Sequence, residues 1–394
     1  MQDFICVIVG GGFAGIHTVK AIQKAYRGRT DGRRLQLILI DKQTYHLRKV
    51  LLFRPAVGNE EITVPWQRIL PEGSQFVQGT VLKVESRSKR LCYQDAEGKQ
   101  QLMNYDVLVM AVGSVIRQPD PEQGGIALTG LEAATRILEQ WRTNLQFALT
   151  EPIEKEKRRL MSVAVAGAGI TGIETSAELA YAMREEALTL GLNPSEITIH
   201  LLNKNERLFP EGPSKVGIKL ERSLMSKGVT VHHRRKALRE QGGQLTISGD
   251  EPLFVGLVVW TLGLVPNPVL RSMELPLTRD GQVIVDGSYR VRETPGIYCI
   301  GDCAHIVDPT TSKADGMTCK EAILQANRLG AIIIADLDGR PAPQHKTVIE
   351  SFTVGLGPEN GLSWTRKWGI DVTITGTLGY KIKSYLWNFS SMLR

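Results

Sequence analysis

Two stretches of the chain share one pattern of apolar and polar positions. Residues 4–9 and 162–166 are short, mostly apolar runs, as expected of strands that are covered on both faces of a parallel sheet. After each run comes a glycine-rich turn, and the residues beyond it repeat apolar side chains three and four positions apart, which predicts a helix. The pattern predicts an α/β fold with two Rossmann-like dinucleotide-binding units, each beginning strand, turn, helix.

The two turns have the same glycine spacing. Residues 9–16 read VGGGFAGI and residues 166–173 read AGAGITGI, so the chain contains an internal repeat. The first glycine permits the tight turn, the second lets the backbone approach a pyrophosphate, and the third lets the helix pack closely on the strand. The helix N-terminus then faces the phosphates. The candidate cofactor-binding residues are Gly10, Gly12 and Gly15 in the first unit and Gly167, Gly169 and Gly172 in the second.

The next strand of the first unit is predicted over residues 35–40 and ends at Asp41. A carboxylate at this place accepts hydrogen bonds from a ribose. The separation from the glycines is longer than usual, and the basic stretch 27–34 is expected to form an elongated surface loop that accounts for it. The alternative is that Asp41 is only a turn residue.

The second unit differs at the equivalent strand end. Residues 197–202 end in Asn203 rather than an acid, and Lys204 and Arg207 follow. A carboxylate would repel a 2′-phosphate, whereas an amide accepts either nucleotide and nearby cations favour NADPH. We expect NAD(P)H to bind with relaxed choice or with a preference for NADPH. Alternatively, the two cations are simply exposed.

Three further segments follow in a set order: residues 105–114 (YDVLVMAVGS), 260–268 (WTLGLVPNP) and 296–304 (GIYCIGDCA). Together with the two glycine motifs they make roughly residues 4–335 resemble the pyridine-nucleotide:disulfide oxidoreductase-like flavoproteins. The resemblance implies a bound FAD, in a domain that is split by an inserted NAD(P)H domain. It also implies that Asp302 contacts the ribityl or pyrophosphate part of the flavin and that Ala111 and Gly113 lie near FAD.

The resemblance divides the chain into four segments: residues 1–120 and 273–338 for FAD, 121–272 for NAD(P)H, and a C-terminal region over 339–394. Further candidate cofactor-binding residues are Lys42, Arg54, Val81 and Gly263.

Within this superfamily, residues 41–47 (DKQTYHL), 51–58 (LLFRPAVG) and 172–180 (GIETSAELA) look most like type II NAD(P)H dehydrogenases, which are peripheral, non-pumping quinone reductases. By this resemblance Glu174 lies near the nicotinamide and is a candidate catalytic residue. A buried carboxylate there can orient the nicotinamide or relay a proton. The alternative is a helix-start glutamate that the helix dipole stabilises.

The resemblance is weaker where that family binds quinone. Instead of a glutamine-rich helix start, residues 317–327 read MTCKEAILQAN, with Lys320 and Leu324 in place of two glutamines. Lys320 is the second candidate catalytic residue, holding a flavin carbonyl or donating to a quinone oxygen, unless it is a surface lysine. Around Arg54 and after Gln325 the chain also resembles apoptosis-inducing-factor homologues of the ferroptosis-suppressor type.

The five cysteines are widely spaced and contain no C-x-x-C pair, which favours a reducing compartment and a chain without a dithiol relay. Cys299 and Cys303 are expected to be packing residues. Electrons must then pass from the flavin directly to a quinone, a small iron–sulfur protein or dioxygen.

Charge and hydropathy limit the location of the protein. The net charge is +7, but the basic clusters lack the interleaved aromatics of a nucleic-acid module. The longest apolar run, residues 253–266, is too short to cross a bilayer, and the first residues enter a strand with no room for a secretory signal. We therefore expect neither nucleic-acid binding nor secretion, and a peripheral protein on the cytoplasmic side of a membrane.

The end of the chain, residues 380–394 (YKIKSYLWNFSSMLR), mixes aromatic, aliphatic and basic side chains as membrane-interface helices do. The same side chains can instead pack on the FAD domain or on a second subunit of a homodimer. The sequence as a whole predicts hydride transfer from NAD(P)H to FAD and on to quinone. The alternatives are a ferredoxin-type protein reductase and a redox-sensing binding protein like apoptosis-inducing factor.

Overall fold

The structure is a computed structural model that describes residues 2–29 and 32–393. Positions 30 and 31 of the expected surface loop and position 394 of the C-terminal segment lie outside the described residues.

The helices are distributed along the whole chain. Their bounds are α1 (Phe13–Tyr26), α2 (Trp66–Ile69), α3 (Leu131–Ala148), α4 (Glu154–Leu160), α5 (Ile170–Leu190), α6 (Ser214–Met225), α7 (Cys319–Leu337) and α8 (Gly376–Ser390).

The strands fall into two large sheets and several small ones. In the first third of the chain they are β1 (Gln2–Val9), β2 (Arg33–Asp41), β3 (Tyr45–Leu47), β4 (Thr63–Pro65), β5 (Ser74–Glu85), β6 (Arg90–Asp95), β7 (Gln100–Asn104), β8 (Val107–Met110), β9 (Ser114–Ile116) and β10 (Ile126–Ala127). They continue with β11 (Ser162–Ala166), β12 (Thr198–Asn203), β13 (Val229–His233), β14 (Ala237–Gln241), β15 (Gln244–Ile247), β16 (Leu253–Phe254), β17 (Leu257–Trp260) and β18 (Leu264–Pro266). The last are β19 (Val283–Ile284), β20 (Ile297–Cys299), β21 (Ala304–His305), β22 (Ser351–Gly355), β23 (Gly361–Lys367) and β24 (Ile370–Thr375).

The first large sheet has the order β20-β8-β1-β2-β5-β6-β7. Its strands from β20 to β5 are parallel, and β6 and β7 extend it as an antiparallel meander. β8 and the second half of β1 are apolar and buried because helices cover them, and α1 packs mainly against α7. Since β20 lies far along the chain, this sheet is built from two separate stretches.

The second large sheet has the order β10-β17-β11-β12-β13, and all its neighbours are parallel. Every one of its strands lies between the two stretches that form the first sheet. The predicted α/β fold with two Rossmann-like units is confirmed. The apolar run at 253–266 is not a continuous element but supplies β16, β17 and β18, of which β17 is fully buried in this sheet. None of the described helices is long and apolar enough to span a bilayer.

The expected loop between helix and strand in the first unit is shorter than predicted. α1 ends at Tyr26 and β2 already begins at Arg33, so the last two basic residues of the stretch 27–34 belong to the strand. Strand pairing explains this, because β1 and β2 are in register from their first residues.

The C-terminal region forms a three-stranded antiparallel sheet, β22-β23-β24, covered by α8. The β-like runs at residues 351–356 (SFTVGL) and 372–376 (VTITG) predict β22 and β24 from the sequence, whereas β23 is not predicted. One face of α8 is docked on the protein, where Lys383 and Trp387 are buried and Gly379 lies too close to the backbone of Gly361 for a larger side chain. The opposite face exposes the large apolar side chains Leu378, Tyr385, Leu386 and Phe389.

Candidate functional site

The first glycine turn, between β1 and α1, is shaped by close backbone approaches. Gly10 has φ +103°, and a side chain there would lie 2.5 Å from the carbonyl oxygen of Ala111. A side chain on Gly15 would overlap the carbonyl oxygen of Gly10, whereas one on Gly12 would meet nothing within 4 Å. Space is therefore open in front of Gly12, at the N-terminus of α1, where a phosphate is stabilised by free N–H groups and the helix dipole.

The second glycine turn, between β11 and α5, repeats this geometry. Gly167 has φ +121° and approaches the carbonyl of Thr261, and Gly172 approaches the carbonyl of Gly167. A side chain on Gly169 would again meet nothing within 4 Å. The two turns thus fit two pyrophosphate groups, such as those of FAD and a nicotinamide nucleotide, without either turn having to move.

Asp41 ends β2 beside the first glycine turn. Its Oδ2 accepts a 2.6 Å hydrogen bond from the N–H of Gly11, and its Oδ1 accepts one of 2.8 Å from Gln43. Burial raises the pKa of this carboxyl group, and the backbone N–H groups and exposed Lys42 oppose that rise. Asp41 therefore braces the glycine turn in addition to standing at the position where a ribose-binding acid is expected.

Asp302 follows β20 and contacts Ser114, which lies beyond β8. The Ser114 hydroxyl donates to Asp302 Oδ2 at 2.6 Å, and Lys49 Nζ donates to the Ser114 carbonyl, also at 2.6 Å. Burial raises the pKa of Asp302, and it lowers the pKa of Lys49. A half-buried cation and a half-buried carboxylate thus contact the same serine at the carboxyl ends of parallel strands, the edge where open α/β sheets bind ligands.

The segments that follow β8 and β17 occupy equivalent places in the two units. They contain Ala111 and Gly113 in the first unit and Gly263 in the second. Ala111 N–H donates to Val9 at 2.8 Å, which holds the chain beside the first glycine turn. Gly113, with φ +65°, and Gly263, with φ +84°, precede β9 and β18, and these two strands pair with each other. Val81 lies in β5 at a register shift, with its side chain in the core.

Glu174 lies in the first turns of α5 and is 2% exposed. Its Oε1 is 2.9 Å from Nζ of Lys383, on α8, and accepts a hydrogen bond of 2.9 Å from the N–H of Gly355. Burial raises the pKa of Glu174, and Lys383 and the Gly355 N–H oppose that rise. Glu174 is therefore not an exposed helix-start residue but one half of a buried ion pair.

A second carboxylate lies one turn further along α5. Glu178 Oε1 is 3.5 Å from Nη2 of Arg54, and the Arg54 guanidinium also lies over the ring of Trp387 at 5.4 Å. Arg54 is thus directed towards α5 and α8 rather than towards either glycine turn, and its role in cofactor binding stays a prediction. Burial raises the pKa of Glu178, with Arg54 opposing the rise.

The edge of β22 connects the two candidate catalytic residues. Lys320 Nζ donates to Ser351 Oγ at 3.1 Å and to the Ile349 carbonyl at 3.2 Å. Further along the same strand, Lys383 donates to the carbonyl of Thr353 at 2.9 Å, and Gly355 donates to Glu174. Lys320 and Glu174 therefore bind opposite ends of one short strand, and burial lowers the pKa of Lys320.

In the second unit, the polar side chains at and after the end of β12 differ in burial and in the number of hydrogen bonds they make. Asn203 is 3% exposed, and its amide contacts His233. Arg207 donates to three backbone carbonyls in residues 209–212, so it shapes its own loop and is not a free cation as the sequence suggested. Lys204 is exposed and makes no hydrogen bond or ion pair within the described residues.

Cys299 and Cys303 are buried free thiols, with their sulfur atoms 3.6 Å apart in a hydrogen bond. Burial raises the pKa of Cys299 well above its usual range. The pair is inert towards solvent and lies in the core, as expected of packing residues.

Several residues of the site were not predicted, among them two lysines, Lys383 and Lys49. Lys383 was noted only as one of several basic residues of the C-terminal segment, and Lys49 was not considered. The sequence around Lys49 hints at its burial only weakly, because the apolar residues 50–53 follow it directly. The sequence around Lys383 gives no such hint, because its partner is distant in the sequence.

Comparison with known proteins agrees with this geometry. Residues 4–326 match the family model described as pyridine nucleotide-disulphide oxidoreductase. Demethylphylloquinone reductase NdbB of Synechocystis sp. is 24% identical, over 86% of this chain and 80% of its own length. A type II NADH:quinone oxidoreductase of Staphylococcus aureus is 23% identical, over 90% of this chain and 88% of its own length.

Among solved structures, NDH2 of Plasmodium falciparum in complex with RYL-552 has the same fold, with a TM-score of 0.82 at 16% identity. The superposition covers 99% of this chain and 97% of the other. The two glycine turns, the returning strand β20 and the match over most of the sequence lead to one conclusion: the chain belongs to the pyridine nucleotide-disulphide oxidoreductase family.

Proposed function

We propose that the protein is an FAD-dependent NAD(P)H:quinone oxidoreductase of the type II, non-pumping kind. The observation that carries this proposal is the buried ion pair between Glu174 and Lys383, which joins the helix of the second glycine turn to the C-terminal helix. The two relatives named above are a demethylphylloquinone reductase and a type II NADH:quinone oxidoreductase, so both are quinone reductases by name. These relatives favour a quinone over an iron–sulfur protein or a sensing role.

The chain's own residues bind and orient the two nucleotides. Gly12 and Gly169 leave room for the pyrophosphates, and Asp41 and Asp302 contact the first nucleotide, FAD, from two strand ends. FAD, when bound, supplies the carrier that accepts a hydride from the nicotinamide and passes two electrons onward. The Ser114 hydroxyl orients the Asp302 carboxylate, and Lys49 donates to the carbonyl of the same serine. The positive charge of Lys49 balances negative charge at this edge.

Glu174 is the residue we assign to proton transfer. The Glu174 carboxylate can take up a proton at Oε2, the oxygen that neither Lys383 nor the Gly355 N–H contacts, and pass it to an acceptor. The ammonium group of Lys383 stabilises the carboxylate that remains, and bulk water returns the proton. Lys320 is the second candidate, donating to an acceptor oxygen from the other end of β22.

A cavity of about 130 Å³ lies between the segment before β4 and α8. Arg54 and Trp387 line it, and Nε of Arg54 and Nε1 of Trp387 are buried N–H donors without an acceptor in the described residues. Buried donors normally have partners. A quinone carbonyl oxygen can accept from these donors, and we assign the acceptor to this side of the protein.

The C-terminal unit supports peripheral membrane binding. Besides the free face of α8, the turn between β23 and β24 exposes Trp368, which is 87% exposed, and Ile370. Aromatic and aliphatic side chains next to Lys367 and Lys381 suit an anionic membrane surface, which we place on the cytoplasmic side. A homodimer stays a prediction, which light scattering of the purified protein tests.

The membrane assignment is tested by co-sedimentation with anionic phospholipid vesicles. The double variant Trp368→Ser/Tyr385→Ser should lose most of its vesicle binding, while Leu102→Ser, which removes an equally exposed apolar residue from β7, should not. Equal binding by all three proteins would rule out this surface.

The catalytic assignment is tested by stopped-flow absorbance. We expect NADH or NADPH to bleach the flavin of the purified holoprotein rapidly, and a short-chain quinone to restore the absorbance. Bleaching that no quinone reverses would exclude quinone as the acceptor and favour a protein acceptor. Absence of flavin absorbance would refute the proposal as a whole.

A further inference from the structure

The end of β12 fixes how Asn203 presents its amide. Its Oδ1 accepts a hydrogen bond of 3.1 Å from the backbone N–H of Asn205, and because that N–H can only donate, the oxygen and nitrogen of the amide cannot be exchanged. Nδ2 then lies 2.9 Å from Nδ1 of His233, at the end of the neighbouring strand β13. Since an amide nitrogen only donates, Nδ1 of His233 must be the acceptor.

The other side of the histidine agrees with this assignment. His233 Nε2 lies 3.1 Å from Oε1 of Glu221 on α6, which suits an N–H directed at a carboxylate. One chain of contacts therefore runs from Glu221 through His233 to Asn203 and ends on the backbone of Asn205. It leaves the second hydrogen of Asn203 Nδ2 as the unassigned group at the strand end.

The charges around this strand end are unevenly paired. Arg234 pairs with Glu206 at 2.7 Å and Arg235 with Asp250 at 3.0 Å, while Glu221 faces His233. The acids near the strand end thus already have partners. Lys204, the residue directly after β12, is exposed, and its ammonium group makes no hydrogen bond or ion pair within the described residues. The strand end offers an N–H donor and a free cation, and no free carboxylate.

We propose that this strand end is a 2′-phosphate subsite, so that the protein prefers NADPH to NADH. Lys204 binds the 2′-phosphate, Asn203 Nδ2–H donates to it, and His233 is a positioning residue that holds the amide with its nitrogen outward. The proposal rests on the proposed function for hydride transfer, but the binding preference is independent of it. A ribose 2′-hydroxyl would find here no carboxylate of the kind that NAD-specific units use.

The first test compares NADPH and NADH in stopped-flow reduction of the holoprotein, and NADP⁺ and NAD⁺ in calorimetric titration. We expect kcat/KM to favour NADPH, and Lys204→Gln to lower kcat/KM for NADPH about tenfold, as loss of one charge-assisted hydrogen bond does. The value for NADH should change less than twofold. Lys99→Gln, an exposed lysine in the first unit, serves as the control and should change neither.

The second test addresses His233. His233→Leu removes the acceptor for Asn203 and should lower the NADPH to NADH ratio several-fold, whereas His233→Gln, whose Oε1 can accept the same hydrogen bond, should restore it. A change of ratio distinguishes positioning from general destabilisation, which lowers both rates.

The outcomes separate the two proposals. A wild-type preference for NADH, or equal effects of Lys204→Gln on both nucleotides, overturns the subsite. If neither nucleotide reduces the flavin, the proposed function fails. Tighter calorimetric binding of adenosine 2′,5′-bisphosphate than of ADP would still support the subsite in that case, and equal binding of the two would overturn it.

Discussion

The two glycine units have nearly the same backbone and very different side chains. Gly10 and Gly167 share a positive φ, Gly15 and Gly172 approach the same turn carbonyl, and Gly12 and Gly169 both face open space. At the strand ends, however, Asp41 accepts hydrogen bonds where Asn203 donates one. The backbone of the turns suits what two dinucleotides have in common, the pyrophosphate, and the strand-end side chains are where recognition of the remainder can differ.

The two units also differ in the side chain that stands two residues after the third glycine, near the start of each helix. In α1 this position is His17, whose Nε2 lies 3.0 Å from the Ser390 carbonyl, and in α5 it is Glu174, which pairs with Lys383. Both partners are on α8, seven residues apart and therefore on the same face. Equivalent positions of the two units thus hold one C-terminal helix, but only the second unit does so with a buried ion pair.

The largest expected effect comes from the third glycines. Gly15→Ala would place Cβ on the Gly10 carbonyl, so we expect purified protein without flavin absorbance. Gly172→Ala makes the same clash in the second unit and should keep the flavin but lose bleaching by NADH and NADPH. Gly130→Ala is the control, because a Cβ there meets nothing within 4 Å and φ is −176°. If both variants lost flavin, the two units would not be functionally separate.

Glu174→Gln should give the next largest effect. Removing the charge leaves Lys383 buried without a counterion, which costs about 3 kcal/mol in the free energy of unfolding. Urea denaturation measures this change, and stopped-flow should show slower reoxidation by quinone with flavin reduction little affected. Glu185→Gln, on an exposed face of the same helix, is the control. Equal behaviour of the two variants would argue against the ion pair.

Each unit contains a histidine whose pKa is lowered by burial, the fully buried His46 in the first unit and the half-buried His200 in the second. Burial lowers the pKa of His46 and of His200 to about 4, from about 6.5. Between pH 6.5 and 4 each histidine is protonated in the unfolded chain but neutral in the folded protein. The free energy of unfolding therefore decreases as the pH falls from 6.5 towards 4. At pH 5 the loss is about 2 kcal/mol for each histidine. Denaturation at pH 7 and 5 should show a smaller loss for His46→Gln and for His200→Gln, and unchanged losses would contradict this account.

Exchanging the strand-end residues should give the smallest effect. Asp41→Asn keeps an oxygen for the Gly11 N–H but removes the charge, so FAD should dissociate more readily, by about 1 kcal/mol in binding free energy. Asn203→Asp should shift the nucleotide preference towards NADH by a similar amount. Flavin release on dilution and the ratio of kcat/KM values measure the two changes. A neutral result in both units would mean that backbone contacts alone determine nucleotide binding.

The sequence predicted what depends on local sterics. The two turns, their strands and the helices after them follow from glycine spacing and apolar runs, and the structure confirms the fold class. β23 was missed because Ser363, Thr365 and Arg366 interrupt its apolar pattern, and pairing with two neighbouring strands overrides that weak local preference. The start of α8 was predicted four residues too late, since Gly376 and Gly379 disfavour helix.

The side-chain contacts of the site could not be predicted in the same way. Lys383 with Glu174, and Lys49 with Ser114, are paired across long separations in sequence, and only the packed fold brings them together. Glu174 was identified by resemblance, but that it is held by a C-terminal lysine follows from the structure alone. Arg207 looked free in the sequence and is bound to its own loop.

The attachment of α8 to both units also sets the order in which the protein can mature. A ribosome completes the second glycine unit first, then the first unit with β20 and α7, and residues 376–390 only after both, while domains form as they are made. Until then Glu174 lacks its lysine and His17 lacks its carbonyl partner. A chain terminated before residue 376 can thus form both glycine turns without the helix that holds Glu174 and His17, and we expect it to be impaired in the proton transfer proposed for Glu174.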